Sequence, residues 1–292
     1  CDAPQLKRFV GRGGGPGAGN PTFGKVGFPA PGFSFLSPMI HLPIFPHVPP
    51  PHTLFARGDL AYAARKPDAG TMGRRMNQRW DADTVRGYMQ WLETPRGAFA
   101  VRHEQRLLHH MVSGWPRRGH TLLEVGCGPG VFLESFWGAG FDVTGLDSSE
   151  AMLEAARERM HCRADFHLGV ADHLPFDDDA FDYVALLTSL EFMPDPAAAL
   201  AVAFRVASRG VLVGFLNRIS PYYPTHGLPV PGLRNSLMRQ AHWFSVPSMY
   251  ALVRGTGVAC SVTMRSVLHG PACTWRESRL FEMLNGWISL SP

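Results

Sequence analysis

The chain has 292 residues, 45% of them hydrophobic and 18% charged, with a formal net charge of +4. That length admits one large domain or two small ones, and the composition excludes a repeat array, a collagen-like rod and a wholly disordered chain. Five cysteines without a CxxC pair, and no run of 18 apolar residues, argue against a disulfide framework, a zinc knuckle, a signal peptide and a membrane span, and favour a reducing, cytoplasmic setting.

Residues 1–75 stand apart. They hold 12 of the 31 glycines and 12 of the 25 prolines and balance at +6, whereas the rest of the chain balances at −2. Proline removes amide donors, glycine raises the ordering cost, and no apolar period runs through GRGGGPGAG or LPIFPHVPPP. This front is therefore expected to be a disordered or non-native extension, with a polyproline docking tail as the functional alternative. The chain opens on Cys1 rather than Met, as a fragment would. The body, 76–292, is slightly acidic and gives no electrostatic reason to expect a nucleic-acid partner. All three lysines (Lys7, Lys25, Lys66) lie in the front, so the body offers neither a Schiff-base nor a phosphate-loop lysine.

In the body, Asp83 is placed to cap a helix that runs to Glu93, Pro95 interrupts it, and a second helix is expected over 98–111. Strands are then expected over 121–125, 141–146, 166–170, 181–187 and 211–216. Helices fall between them at 131–137, 149–161 and 196–207, the last with Asp195 as cap, Pro196 in its first turn and Gly210 beyond its end. Apolar strands alternating with helices imply a doubly wound, mostly parallel α/β sheet whose ligand crevice lies at the carboxyl ends of the strands. Residues 258–267 read as a sixth strand and 277–289 as a helix.

The most informative segment is TLLEVGCGPGVF, where a strand runs into Gly126, Gly128 and Gly130 and then a helix. Glycines there let the backbone turn tightly and a ligand approach it closely. The spacing is GxGxG, with Val131 where a dinucleotide fingerprint would carry its third glycine. Glu124, two residues before the first glycine, would repel a pyrophosphate and suits a ligand bearing an ammonium group. Asp147 ends the next strand, where a carboxylate can accept from both ribose hydroxyls of an adenosine, and Ser148 or Ser149 caps the helix after it. Asp172 follows the third strand, within reach of an adenine amino group. Asp177, Asp178 and Asp179 read as a solvated turn rather than a metal site, because they lack the alternation and the turn glycine of a calcium loop.

LEVGCGPG, VTGLDSSEAMLEAAR, ADHLPFDDDAFDYV and the run from Leu186 to Arg218 together resemble the class I S-adenosylmethionine-dependent methyltransferases, in particular the group that includes quinone-biosynthesis enzymes. The resemblance spans about 81–269. It implies S-adenosylmethionine as cofactor, a small-molecule methyl acceptor and a Rossmann-like methyltransferase fold. It further implies that Glu124, Gly126 and Gly128 line the methionine part of the cofactor, that Asp147 binds the ribose, and that Asp172 and His173 bracket the adenine. Cys127, Ser148 and Ala171 join that set, and Thr188 would face cofactor and acceptor. Tyr88 and the turn from Thr94 to Gly97 resemble the amino-terminal segment that closes over the cofactor.

Transfer from a sulfonium needs a base only if the acceptor must lose a proton. Glu191 ranks first as that catalytic group, ahead of His173, Asn217, Tyr222, Tyr223, His226 and His242. The insertion over 220–243, with Tyr222, Tyr223, Arg234, Arg239 and Trp243, is expected to shape the acceptor pocket. A family member should end in an antiparallel hairpin of sixth and seventh strands, and the seventh is expected to be missing, leaving an open sheet edge and a bare apolar helix face. The competing functions are an NAD-dependent oxidoreductase and a non-catalytic S-adenosylmethionine-binding module.

Overall fold

A computed structural model describes residues 39–43, 80–228 and 237–289 of the chain. The first strand, β1 (Met39–Pro43), comes from the front segment. Helix α1 (Ala82–Glu93) follows, and its cap is Asp81 rather than Asp83: the Asp81 carboxylate accepts from the Thr84 amide at 2.8 Å. Pro95 separates α1 from α2 (Pro95–Met111) but sits in the first turn of the second helix, where its missing N–H costs nothing. Thr94 makes the corner, accepting from the Gly97 amide at 3.0 Å and donating to the Trp91 carbonyl at 2.7 Å.

The alternation then runs as expected: β2 (Thr121–Val125), α3 (Val131–Ala139), β3 (Asp142–Asp147), α4 (Glu150–Met160), β4 (Asp165–Leu168), β5 (Phe181–Leu187), α5 (Pro196–Val206) and β6 (Ala207–Gly214). Asp195 caps α5 through the Ala197 and Ala198 amides. Gly210 does not end that helix; α5 passes directly into β6, and Gly210 lies within the strand, paired with Tyr183. Among the described residues the insertion carries two short helices, α6 (Tyr223–His226) and α7 (Leu237–Gln240), and leads to α8 (Val246–Gly255).

The sheet order is β4-β3-β2-β5-β6-β1-β7-β8, where β7 is Thr263–Ser266 and β8 is Ile288–Ser289. β2 pairs in parallel with β3 and β5, β3 with β4, and β5 with β6. Residues of these strands alternate between two cores. Leu122, Tyr183, Ala185 and Leu212 face the side covered by α2 and α3, while Leu123, Val184, Leu186, Val211 and Val213 face α5 and α8. No helix among the described residues is long and apolar enough to cross a membrane.

Two expectations need correction. Residues 1–75 were expected to be a disordered or non-native extension outside the domain, yet β1 lies antiparallel between β6 and β7, with Ile40 opposite Val213 on one side and Met264 on the other. The antiparallel strand beside β6 is thus supplied by residues 39–43. At the other end, the expected helix over 277–289 is only α9 (Arg279–Leu284), after which Asn285 and Gly286 turn the chain into β8 against β7. The apolar face expected there is exposed: Leu280, Met283, Leu284, Trp287 and Ile288 all reach solvent. Their neighbour Glu282 is held instead by Arg106 at 2.8 Å, Arg102 at 3.4 Å and His103 at 3.3 Å, which anchors α9 to α2.

Candidate functional site

The crevice at the carboxyl ends of β2, β3 and β5 is built by three strand-tip loops. The first is the glycine loop. Gly126, Gly128 and Gly130 all have φ between +51° and +75°, the left-handed region that side chains disfavour. At Gly126 space is also closed: a Cβ there would stand 2.5 Å from the Ser189 Cβ. Cys127 is buried with its sulfur against β3, 2.9 Å from where a Cβ on Gly145 would lie, so only its backbone belongs to the loop's ligand face.

The second loop begins at Asp147. Its Oδ2 accepts from the Gly128 amide and its Oδ1 from the Ser149 amide, each at 2.9 Å, so one carboxylate ties the tips of β2 and β3 together. Ser149, not Ser148, caps α4, accepting from the Met152 amide at 3.3 Å. Burial raises the Asp147 pKa against the pull of these amides. Glu124, one strand away, is fully enclosed, and its Oε2 has no hydrogen-bond partner among the described residues. Burial first, and the Asp147 charge second, push its pKa well above the usual carboxylate range. A buried acceptor without a donor is costly, and a cationic group in the crevice would remove that cost.

The third loop follows β5. Thr188 has φ +49°, an unusual conformation for a β-branched residue, with its amide donating to the Gly214 carbonyl at 2.8 Å. Strain of this kind concentrates at functional sites. Replacing Thr188 by glycine should stabilise the fold by about 0.5–1 kcal/mol, the relief of left-handed strain less the entropy glycine loses. Urea unfolding measures this, and a loss of stability would show that the Thr188 hydroxyl bond to the Leu187 carbonyl outweighs the strain. Glu191 is completely buried, with Oε1 accepting from the Leu216 amide, and burial pushes its pKa up to about 8.

Ala171 and Asp172 lie half-buried beyond β4, and the side chain of His173 is exposed, 3.8 Å from the Asp172 carboxylate. The other candidate bases divide. Tyr222 is buried and stacks on His226 at 3.7 Å, and burial lowers the His226 pKa to about 4. Asn217 is occupied by the Ile219 amide at 2.9 Å. Arg239 donates to the Leu228 and Thr225 carbonyls, closing the insertion on itself, while Arg234 lies outside the described residues.

Sequence reasoning missed Ser189 and Trp80. Ser189 packs on Gly126 and donates to the Val125 carbonyl at 2.9 Å, so the loop after β5 is fastened to the glycine loop. The Trp80 carbonyl accepts from the Ser149 hydroxyl at 2.8 Å, and its ring meets Phe192 and Tyr88 edge-on at 5.6 and 6.0 Å. Trp80 therefore bridges the loop after β3, the turn after β5 and α1. A tryptophan preceding a cap signal was the available cue. Glu104 was missed as well: it is buried on α2, and with Glu124 it raises the Tyr88 pKa, after burial itself.

Residues 123–214, from β2 through β6, match the methyltransferase domain family. The segment from β2 through β6 is similar to a methyltransferase domain. Among curated relatives, the chain is 35% identical over 128 residues to a demethylmenaquinone methyltransferase of Staphylococcus haemolyticus, covering 42% of this chain and 54% of that one. It is 36% identical over 114 residues to a ubiquinone biosynthesis O-methyltransferase of Thiobacillus denitrificans, covering 37% and 49%. The chain spans about half the length of these curated relatives. A crystal structure of an S-adenosylmethionine-dependent methyltransferase from Thermotoga maritima shares the methyltransferase fold, with a TM-score of 0.58 and 23% identity over 72% of this chain and 92% of that one.

Proposed function

We propose that this chain transfers a methyl group from S-adenosylmethionine to a small-molecule acceptor. The observation that carries the reading is Glu124: an enclosed carboxylate without a donor, beside a loop whose glycines admit close approach, fits the ammonium of an amino-acid moiety and opposes a pyrophosphate. The chemistry that S-adenosylmethionine would supply here is a methyl group on a sulfonium, open to in-line attack by the acceptor with the neutral thioether as leaving group. What this chain supplies is position. Glu124 with the backbone of Gly126, Cys127 and Gly128 would hold the methionine end, and Asp147 with Ser148 would hold the ribose. Ala171, Asp172 and His173 would hold the adenine, with Thr188 at the acceptor side.

Alignment of donor and acceptor at about 3–3.5 Å accounts for much of such a barrier's reduction. The cluster of Trp80, Tyr88 and Phe192 would exclude water from that contact. The quinone-related names of the curated relatives support an aromatic small molecule as acceptor, and the aromatic insertion around Tyr223 and Trp243, whose rings meet at 5.2 Å, suits one. A cytoplasmic setting accords with the four described cysteines being free thiols.

Calorimetric titration with S-adenosylhomocysteine and with NAD tests the cofactor. Binding of the first and not the second is expected, and the reverse would overturn the reading in favour of an oxidoreductase. Incubation with labelled S-adenosylmethionine and a cell extract then separates an enzyme, which transfers label, from a binding module, which does not.

A further inference from the structure

Glu191 sits at a junction of three segments. Its side chain accepts from the Leu216 amide just past the end of β6, and its backbone carbonyl accepts from the His242 amide, on the returning arm of the insertion, at 2.8 Å. That arm is laid on the same strand end: Phe244 donates to the Leu216 carbonyl at 3.0 Å, and Arg218 donates to the Phe244 carbonyl at 2.7 Å. On either side of Glu191 in the chain stand Ser189, fastened to the glycine loop, and Phe192, against Trp80. One residue thus joins the loop beside the cofactor crevice to the segment that shapes the acceptor side.

The carboxyl group is completely enclosed, and its Oε2 has no partner among the described residues. An ionised carboxylate in that position would leave a desolvated charge uncompensated, whereas the neutral acid leaves only a hydroxyl unmatched, a far smaller cost. The charged or titratable groups on the adjoining segments are Arg218 and His242, both exposed, and the exposed Asp195, which caps α5 through the Ala197 and Ala198 amides. None of them is among the causes of the Glu191 shift, which are burial, opposed by the amides of Glu191 and Leu216.

We propose that Glu191 is a positioning residue, a neutral carboxylic acid that latches the loop after β5 to the end of β6 and to the returning arm of the insertion. Ionisation leaves an enclosed charge that opening to water relieves, and that cost exceeds the gain in the Leu216 bond, so the acceptor side loosens on the alkaline side. This rests on the methyltransferase reading for what the two sides of the crevice bind.

Urea unfolding and amide exchange of the whole chain, wild type against Glu191→Gln and Glu191→Ala, test it between pH 5 and 9. Glutamine copies the shape and neutrality of the acid. Between the ordinary glutamate value of 4.5 and the raised value of about 8, the native state holds a proton that the unfolded state has lost. Stability from Glu191 is therefore present at low pH and lost as pH rises through that window. The folding constant of wild type relative to the glutamine variant should fall about tenfold per pH unit there and level off above it. The His242 and Leu216 amides should stay protected in the glutamine variant and lose protection in the alanine variant. A glutamine variant with the same pH slope as wild type, or an alanine variant with its His242 amide still protected, would overturn the latch. Titration of wild type with S-adenosylhomocysteine in the same samples tests the methyltransferase reading separately, because failure to bind leaves the pH slopes as they are.

Discussion

A proline placed at Ile40 or His41 should destabilise the domain by about 3 kcal/mol or more, and deletion of residues 1–75 should do at least as much. β1 is paired on both sides, with β6 and with β7, so every amide in its interior faces a partner strand and any proline there removes a ladder bond. The deletion goes further. β7 pairs with β1 and β8, so without β1 the β7–β8 hairpin has no strand joining it to the sheet, and β6 becomes an edge. Urea unfolding midpoints and exchange at Val211 to Val213 and at Thr263 and Met264 measure the effect. A 76–292 chain that unfolds at the wild-type midpoint would return the front segment to the role its composition suggested, an extension outside the domain.

Asp147→Ala should weaken S-adenosylhomocysteine binding by about 100-fold or more, equivalent to about 2.7 kcal/mol. The side chain accepts from the amides of Gly128 and Ser149, and hydrogen bonds to a charged acceptor contribute roughly 1.5–3 kcal/mol each. Removing it unfastens the two loops that would hold methionine and ribose, in addition to any bond to the ribose itself. Asp147→Asn keeps the shape and one acceptor oxygen, so its loss should be smaller. Calorimetric titration distinguishes these cases, and an alanine variant with unchanged affinity would remove Asp147 from the cofactor site.

The parallel core was legible in the sequence because its signals are local. β2 and β5 begin and end where the apolar runs 121–125 and 181–187 begin and end, and the Asp195-Pro196 pair announces α5 without reference to anything distant. The glycine loop, Glu124 and Asp147 were legible for the same reason: their spacing from a strand end is a property of a short segment. β1 was not. Five residues among prolines carry no readable period, and what makes them a strand is an open ladder between residues 207–214 and 263–266. The expected helix over 277–289 failed differently, because the apolar spacing of Leu280, Phe281 and Leu284 continued into Trp287 and Ile288 and outweighed the Asn285-Gly286 stop signal. Glu191 was found from its place after a strand, but its connection to Leu216 and His242 depends on packing that the sequence does not spell out.

The position of β1 also bears on how the protein is made. It is synthesised before the strands it joins, and the backbone it pairs with begins at Ala207, some 160 residues later. At roughly 5–20 residues per second, β1 waits on the order of ten to thirty seconds for β6, and longer for β7. The central parallel strands, β2 to β5, are complete within that interval and can collapse before it ends. Completing the sheet then requires insertion of β1 between β6 and β7, a closure of high sequence separation that folds slowly and leaves the β6 edge open to other chains until it happens.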